Sequence, residues 1–268
     1  TTALAETSGP ALTGALVQGL SAPMAIAFDA LAFLVSGCAL LRIRRREKLP
    51  AAAPAAERPL WRGVQEGWAA SFAEPQVRAV FVANVMIAFF APMFVPVYAY
   101  YAIHDLGMTP LLLGFAISCG GAGALAGAAF TPVLARRFGT APMLITGLSM
   151  LGVAQLLVPL AHGRPEAATG WLAIAQFIGD GFFVFYLVNE LSVRQQTLAP
   201  AVLGRANASL RMATGALAPA GILLAGLLAD AVGPRPVLWI SVGGILGTAL
   251  LLAVLLPSRI TSPRAAVT

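Results

Sequence analysis

Eight stretches of this chain, near 4–20, 22–41, 78–101, 110–134, 142–161, 170–192, 207–229 and 236–256, are apolar over lengths close to one membrane crossing. A helix needs roughly 20 such residues to traverse the hydrocarbon layer. Lipid offers no water to satisfy backbone N–H and C=O groups, so a chain made of such stretches folds as helices that bond internally. The 4–20 stretch is the weakest, short and rich in small residues. Composition agrees: 10% of residues are charged, against about 25% in a soluble domain. The 27 glycines and 19 prolines interrupt long apolar runs, a mixture that membrane helices tolerate and that a polar disordered chain does not share. The expected fold is an all-α polytopic membrane protein with eight transmembrane helices in a lipid bilayer.

The basic residues orient it. With the 42–77 loop on the cytoplasmic side, Arg42, Arg44, Arg45, Arg46, Lys48, Arg58, Arg62, Arg78, Arg136, Arg137, Arg194, Arg205, Arg211, Arg259 and Arg264 fall inside, and only Arg164 and Arg235 fall outside. Fifteen against two is a strong positive-inside bias. It places the carboxyl terminus in the cytoplasm, and it reads the net charge of +6 as topology rather than as a nucleic-acid surface. Within the 42–77 loop, Trp61, Val64, Trp68 and Phe72 recur at helical spacing. They predict either an interfacial helix on the inner leaflet or a plain connecting helix.

The stretch Ser192-Val193-Arg194-Gln195, with Pro200, Gly204-Arg205, Asn207-Ala208 and Arg211, resembles a recurring cytoplasmic pattern of bacterial major facilitator carriers akin to the enterobactin exporter and drug-efflux members. Asp29-Ala30 with Phe33 and Ser36 is similar to that group, as is the basic loop before the third span. Gly9-Pro10 with Gly14 resembles a Gly-Pro-x-x-Gly motif in the fifth helix of export-type members; glycine permits close helix approach and proline bends the span. Arg136, Arg137 and Gly139 resemble the second-half version of the family's loop motif, with Ala135 where the first-half version carries aspartate. The likeness implies a major-facilitator-type bundle, N-terminally truncated relative to twelve helices. Residues 1–41 would be the last two helices of the N-terminal half, 42–77 the central loop, 78–257 the C-terminal six-helix half, and 258–268 a cytoplasmic tail. It further implies the bacterial cytoplasmic (inner) membrane, and helices one to four as the missing partner of a full carrier.

Asp180 is the position with the most chemistry. It sits mid-span in Ile178-Gly179-Asp180-Gly181, with Gln176 on the same helical face. A carboxylate at that depth is costly unless paired or wet. It is either a proton- or cation-responsive group in a transport path or a carboxylate hydrogen-bonded to neighbouring helices. Asn84 and Tyr98 fall roughly on one face of the 78–101 span, which Pro92 and Pro96 interrupt. Phe90, Phe94 and Tyr186 are candidates for an aromatic cavity wall, although such side chains more often face lipid or another helix. Glu190 and Arg194 are four residues apart and predict a helix-end ion pair.

Cys38 and Cys119 lie inside apolar spans, and His104 and His162 in separate loops; none has metal-ligand or disulfide spacing. No phosphate-binding glycine loop with lysine occurs, which argues against ATP-driven transport by this chain. No cofactor and no nucleic-acid partner is expected. The function these features and the resemblance imply is not enzymatic: a secondary active transporter, a proton-coupled exporter of a small amphipathic molecule (drug, siderophore or metabolite) working by alternating access. The alternatives are a non-transporting truncated remnant, or an intramembrane aspartyl protease using Asp29 and Asp180 as a dyad. In the latter, Phe28 stands where tyrosine is usual and Phe177 where glycine is expected.

Overall fold

A computed structural model describes residues 22–42 and 60–256. Among them every regular element is helical: α1 (Ala22–Leu41), α2 (Leu60–Ala73), α3 (Pro75–Tyr100), α4 (Pro110–Phe138), α5 (Thr140–Gln155, prolonged by Leu157–Leu160), α6 (Pro165–Thr197), α7 (Pro200–Val232) and α8 (Pro234–Leu255). The six helices from α3 to α8 are each long and apolar enough to cross a membrane. The expected span at 22–41 is α1, and the expected span at 4–20 lies outside the described residues.

Local sequence explains the boundaries. Pro75, Pro110, Pro165, Pro200 and Pro234 open α3, α4, α6, α7 and α8, where proline's missing N–H costs nothing and its fixed φ suits a first turn. Thr109 caps α4 by accepting from Leu112 N at 3.3 Å. Gly139 and Gly233, at φ of 85° and 87°, stop α4 and α7 in the left-handed region and reverse the chain at once into the next span. A π-helical turn, Tyr101–Asp105, carries α3 onward to Asp105.

The helices outrun the apolar stretches. The apolar stretch 170–192 lies inside a 33-residue α6, and 207–229 inside a 33-residue α7. Such a helix is about 50 Å long, so each projects beyond a hydrocarbon layer of roughly 30 Å.

Successive spans alternate in direction. Arg78, Arg136, Arg137, Arg194, Arg205 and Arg211 therefore gather at one end of the bundle, here the basic end, and Arg164 and Arg235 at the other. Apart from α5 and α6, the main neighbours in space are not neighbours in sequence. α4 packs along α6, α6 along α5, α5 along α8, α8 along α3, and α3 along α7. The α4–α6 seam is the closest. A Cβ at Gly123 would collide with the Phe177 carbonyl, and one at Gly127 with the Gly181 carbonyl, so these positions let two backbones touch. Phe115, Phe130, Leu223, Leu227, Leu250 and Val254 face outward, as a lipid-solvated surface requires.

α2 lies across α7 at the basic end. It packs through small residues: Ser209 Oγ donates to Val64 O at 3.0 Å, a Cβ at Gly67 would meet the Arg205 carbonyl, and Arg205 pairs with Glu66. Trp61, Trp68 and Phe72 remain exposed, and Trp68 and Phe72 contact Phe81, two turns into α3. The aromatic face expected from the helical spacing is thus on the outside of the bundle, turned along the span.

Candidate functional site

The face of α3 that meets α6 carries two polar layers. Asn84 and Tyr98 do share it, but the 14 intervening residue steps put them about 21 Å apart along the helix axis, in different surroundings.

In the layer at the basic end the carboxylate is held by the protein's own side chains, and Arg194 Nε alone of the cluster's guanidinium nitrogens finds no partner among the described residues. Glu190, buried, receives both Arg194 Nη2, 2.8 Å from each carboxylate oxygen, and Asn84 Nδ2 at 3.3 Å. Arg194 Nη1 donates to Asn207 Oδ1 at 2.7 Å, tying α6 to α7. Asn84 also donates to Val80 O at 3.0 Å. The predicted i,i+4 pair of Glu190 and Arg194 is present, and Asn207 and Asn84 complete it. Asn84, expected in a substrate path, is instead committed to this cluster because its depth matches Glu190 rather than Asp180.

The second layer is open. A cavity of about 360 Å³ lies between α3, α4, α5, α6 and α8, lined by Phe94, Tyr98, Ile117, Leu151, Gln155, Gln176, Asp180 and Phe183 among others. Asp180 is the sixteenth of 33 residues in α6, about 22 Å of helix from one end and 25 Å from the other. A Cβ at Gly120 of α4 would fall on its carboxylate, so glycine there makes room for the acid. Gln155 Nε2 donates to Gln176 Oε1 at 3.2 Å. Phe94 and Tyr98 stack with centroids 5.3 Å apart.

Three polar groups here lack partners among the described residues. Asp180 forms no hydrogen bond or ion pair, and the buried Tyr98 hydroxyl and Gln155 Oε1 have none either. Buried polar atoms are ordinarily satisfied; of those without a partner among the described residues, Tyr98 Oη and Gln155 Oε1 sit at this cavity beside the half-buried Asp180, and Ser118 Oγ, Tyr186 Oη and Arg194 Nε lie elsewhere.

Asp180, Gln176, Tyr98 and Phe94, four of the predicted candidates, therefore meet at one cavity. Tyr186 does not line it. That side chain is fully buried and its ring stacks with Phe183 at 6.1 Å, while its backbone N and Cβ closely approach α5 at Gly147. Phe90 is also absent, seated against Gly244 of α8. Gln155 and Phe183 belong to the cavity and were not predicted. For Gln155 the signal was available, an amide near the end of the otherwise apolar 142–161 stretch.

The remaining motif residues are spread over the basic end. Arg136 and Arg137 are exposed after the α4 seam, with Arg137 5.4 Å above the Phe138 ring. Gly139 supplies the turn already described. Gln195 and Gly204 are exposed, and Arg205 joins Glu66 and Ala201 O. Gly9, Pro10 and Gly14 lie outside the described residues, as does the side chain of Asp29, so of the alternative dyad only Asp180 is described.

The family model described as Major Facilitator Superfamily matches residues 80–267, from the first turns of α3 through all of α8. The chain belongs to the Major Facilitator Superfamily. No curated protein matches it. Superfamily members are transporters, so this major facilitator chain is a multi-pass membrane protein of transport.

Proposed function

We propose that this major facilitator chain works as a proton-coupled exporter of a small amphipathic molecule by alternating access, with the substrate held at the Asp180 cavity. The observation that carries the proposal is the set of unpartnered polar groups, Asp180, Tyr98 and Gln155, grouped at one apolar-walled cavity at mid-span. A mid-membrane carboxylate facing a cavity is the usual location of an ion or substrate path, and an apolar pocket with a few convergent polar groups suits an amphipathic ligand.

In this proposal α3 to α8 form the C-terminal half-bundle, residues 42–77 the central loop, and α1 belongs to the opposing half. The substrate lies between the halves, as in repeat-built carriers, and helices preceding α1 complete the path. The basic end faces the bacterial cytoplasm together with the carboxyl terminus, supported by the arginine asymmetry. Single cysteines at His162 or Val232, in a background lacking Cys38 and Cys119, should label with an impermeant reagent from outside the cell, and one at Phe138 should not. The reverse pattern inverts the orientation.

The functional test is Asp180→Asn in a carrier reconstituted with both halves. Asparagine keeps the shape and removes the titratable group. Efflux driven by a pH gradient should be lost, and counterflow exchange at saturating substrate, which needs no net proton movement, should survive. Unchanged gradient-driven efflux would remove Asp180 from the coupling step.

A further inference from the structure

We infer that the Asp180 cavity selects a hydrophobic organic cation, an aromatic-bearing quaternary or protonated amine, over neutral or anionic molecules of the same shape. The inference rests on the proposal above that this cavity takes the substrate, and narrows the substrate to one chemical class.

Charge is the first observation. Asp180 is the ionisable acid among the lining side chains, and none of them is lysine, arginine or histidine. The buried Arg194 is 14 residues further along α6 and already holds Glu190 and Asn207, about 21 Å away by helix rise. An anion entering the cavity would meet a carboxylate with no cation to offset it. A neutral molecule without a hydrogen-bond donor would displace water from that carboxylate and return nothing. A cation removes the deficit.

Hydrogen-bonding capacity points the same way. A carboxylate only accepts. Gln155 gives one of its two amide N–H groups to Gln176 Oε1, and its own oxygen has no partner. Tyr98, 4% exposed, has an unpartnered hydroxyl at the same cavity. The glutamine amides and the tyrosine hydroxyl offer both donors and acceptors, whereas the carboxylate, the one charged group here, only accepts, and it calls for a donor-bearing or positively charged ligand. The walls fit such a ligand. The stacked Phe94–Tyr98 pair and Phe183 supply aromatic faces, which attract cations through the ring quadrupole. Leu151, Ile117 and Ile245 take the apolar remainder.

Steric placement makes the acid available. Gly120 leaves the carboxylate in space that any larger residue of α4 would fill. The acid is therefore held against a backbone surface rather than against a basic partner, which is how a charge is kept unneutralised for a ligand.

The test uses the full chain in lipid nanodiscs and needs no gradient or flux. Labelled benzyltrimethylammonium is the probe. Its uncharged isostere neopentylbenzene and the anion phenylmethanesulfonate are the competitors. Expected are saturable binding of the cation, weak competition by the isostere, and none by the sulfonate. Asp180→Asn should weaken cation binding about 10–100-fold, the range for loss of a charge-assisted contact, and Asp180→Glu should retain the preference. The isostere series on the unaltered chain stands whether or not either variant folds. Equal competition by the isostere, stronger binding of the sulfonate, absence of cation binding, or cation affinity indifferent to Asp180→Asn each overturn the inference. Failure of the transport proposal would instead appear as absent efflux in the reconstituted carrier, while cation selectivity in nanodiscs persisted.

Discussion

The two polar layers along the α3–α6 contact use similar residues and reach opposite outcomes. Near the basic end, Glu190 is surrounded by Arg194 and Asn84, and Arg194 by Asn207. At mid-span, Asp180 has two glutamines and a tyrosine for company and bonds to none of them. Both are carboxylates on one helix facing the bundle, Glu190 buried and Asp180 half-buried. What differs is whether the partners belong to the protein. A closed cluster stiffens the joint between α6 and α7; an open one leaves its capacity for a ligand. In the first case the Glu190 carboxylate is satisfied by an arginine and an amide of the protein itself; in the second the ligand proposed above would supply the partner.

The contrast predicts opposite responses to neutralising each acid. Glu190→Ala strands the Arg194 guanidinium, whose side chain is 12% exposed, and should cost about 3–5 kcal/mol, as for breaking one side of a buried pair. Asp180→Asn removes a charge with no partner and should not lower stability. Thermal denaturation in detergent, followed by the fraction remaining monodisperse on size exclusion, reads both. A larger loss for Asp180→Asn would mean that the mid-span acid is the structural one.

Beside the cavity, α4 and α6 touch through glycine. Gly123→Ala drives a methyl group into the Phe177 carbonyl and should cost about 1–3 kcal/mol, the range for overpacking. Gly215 of α7 has nothing within 4 Å of the new methyl. Gly215→Ala should therefore stabilise the helix by about 0.5–1 kcal/mol through backbone entropy. Similar effects of the two substitutions on the same thermal assay would show that the seam is looser than described.

The smallest expected difference compares two buried tyrosines of the α3 span. Tyr101 Oη donates to Ala161 O at 3.3 Å, so Tyr101→Phe should lose about 1 kcal/mol. Tyr98 Oη donates to nothing, and Tyr98→Phe should leave stability unchanged or slightly raised, its cost appearing only in cation binding. Equal losses from both would mean that Tyr98 already has a protein or lipid partner, and the mid-span layer would be less open than proposed.

The sequence by itself determined whatever depends on one helix at a time. Apolar length located the six described spans from α3 to α8, proline and glycine fixed their starts and stops, and the arginine pattern collected at one end of the bundle. The Glu190–Arg194 pair was legible because four residues bring two side chains together on any helix, and Asp180 stood out by depth alone. The lateral order of the helices was not legible, and it decided the rest. Rise and rotation per residue fix a side chain's height and direction on its own helix but not which helix faces it. That is why Asn84 and Tyr98, on one face, ended in different layers, and why Tyr186 and Phe90 turned to α5 and α8 instead of the cavity. Gln155 met Gln176 through the packing of the consecutive helices α5 and α6, whereas Gly120 came to rest against Asp180 because glycine-to-backbone contacts brought α4 to α6 across an intervening span. Such contacts arise from complementary surfaces of non-sequential helices, and no local pattern in the chain encodes them.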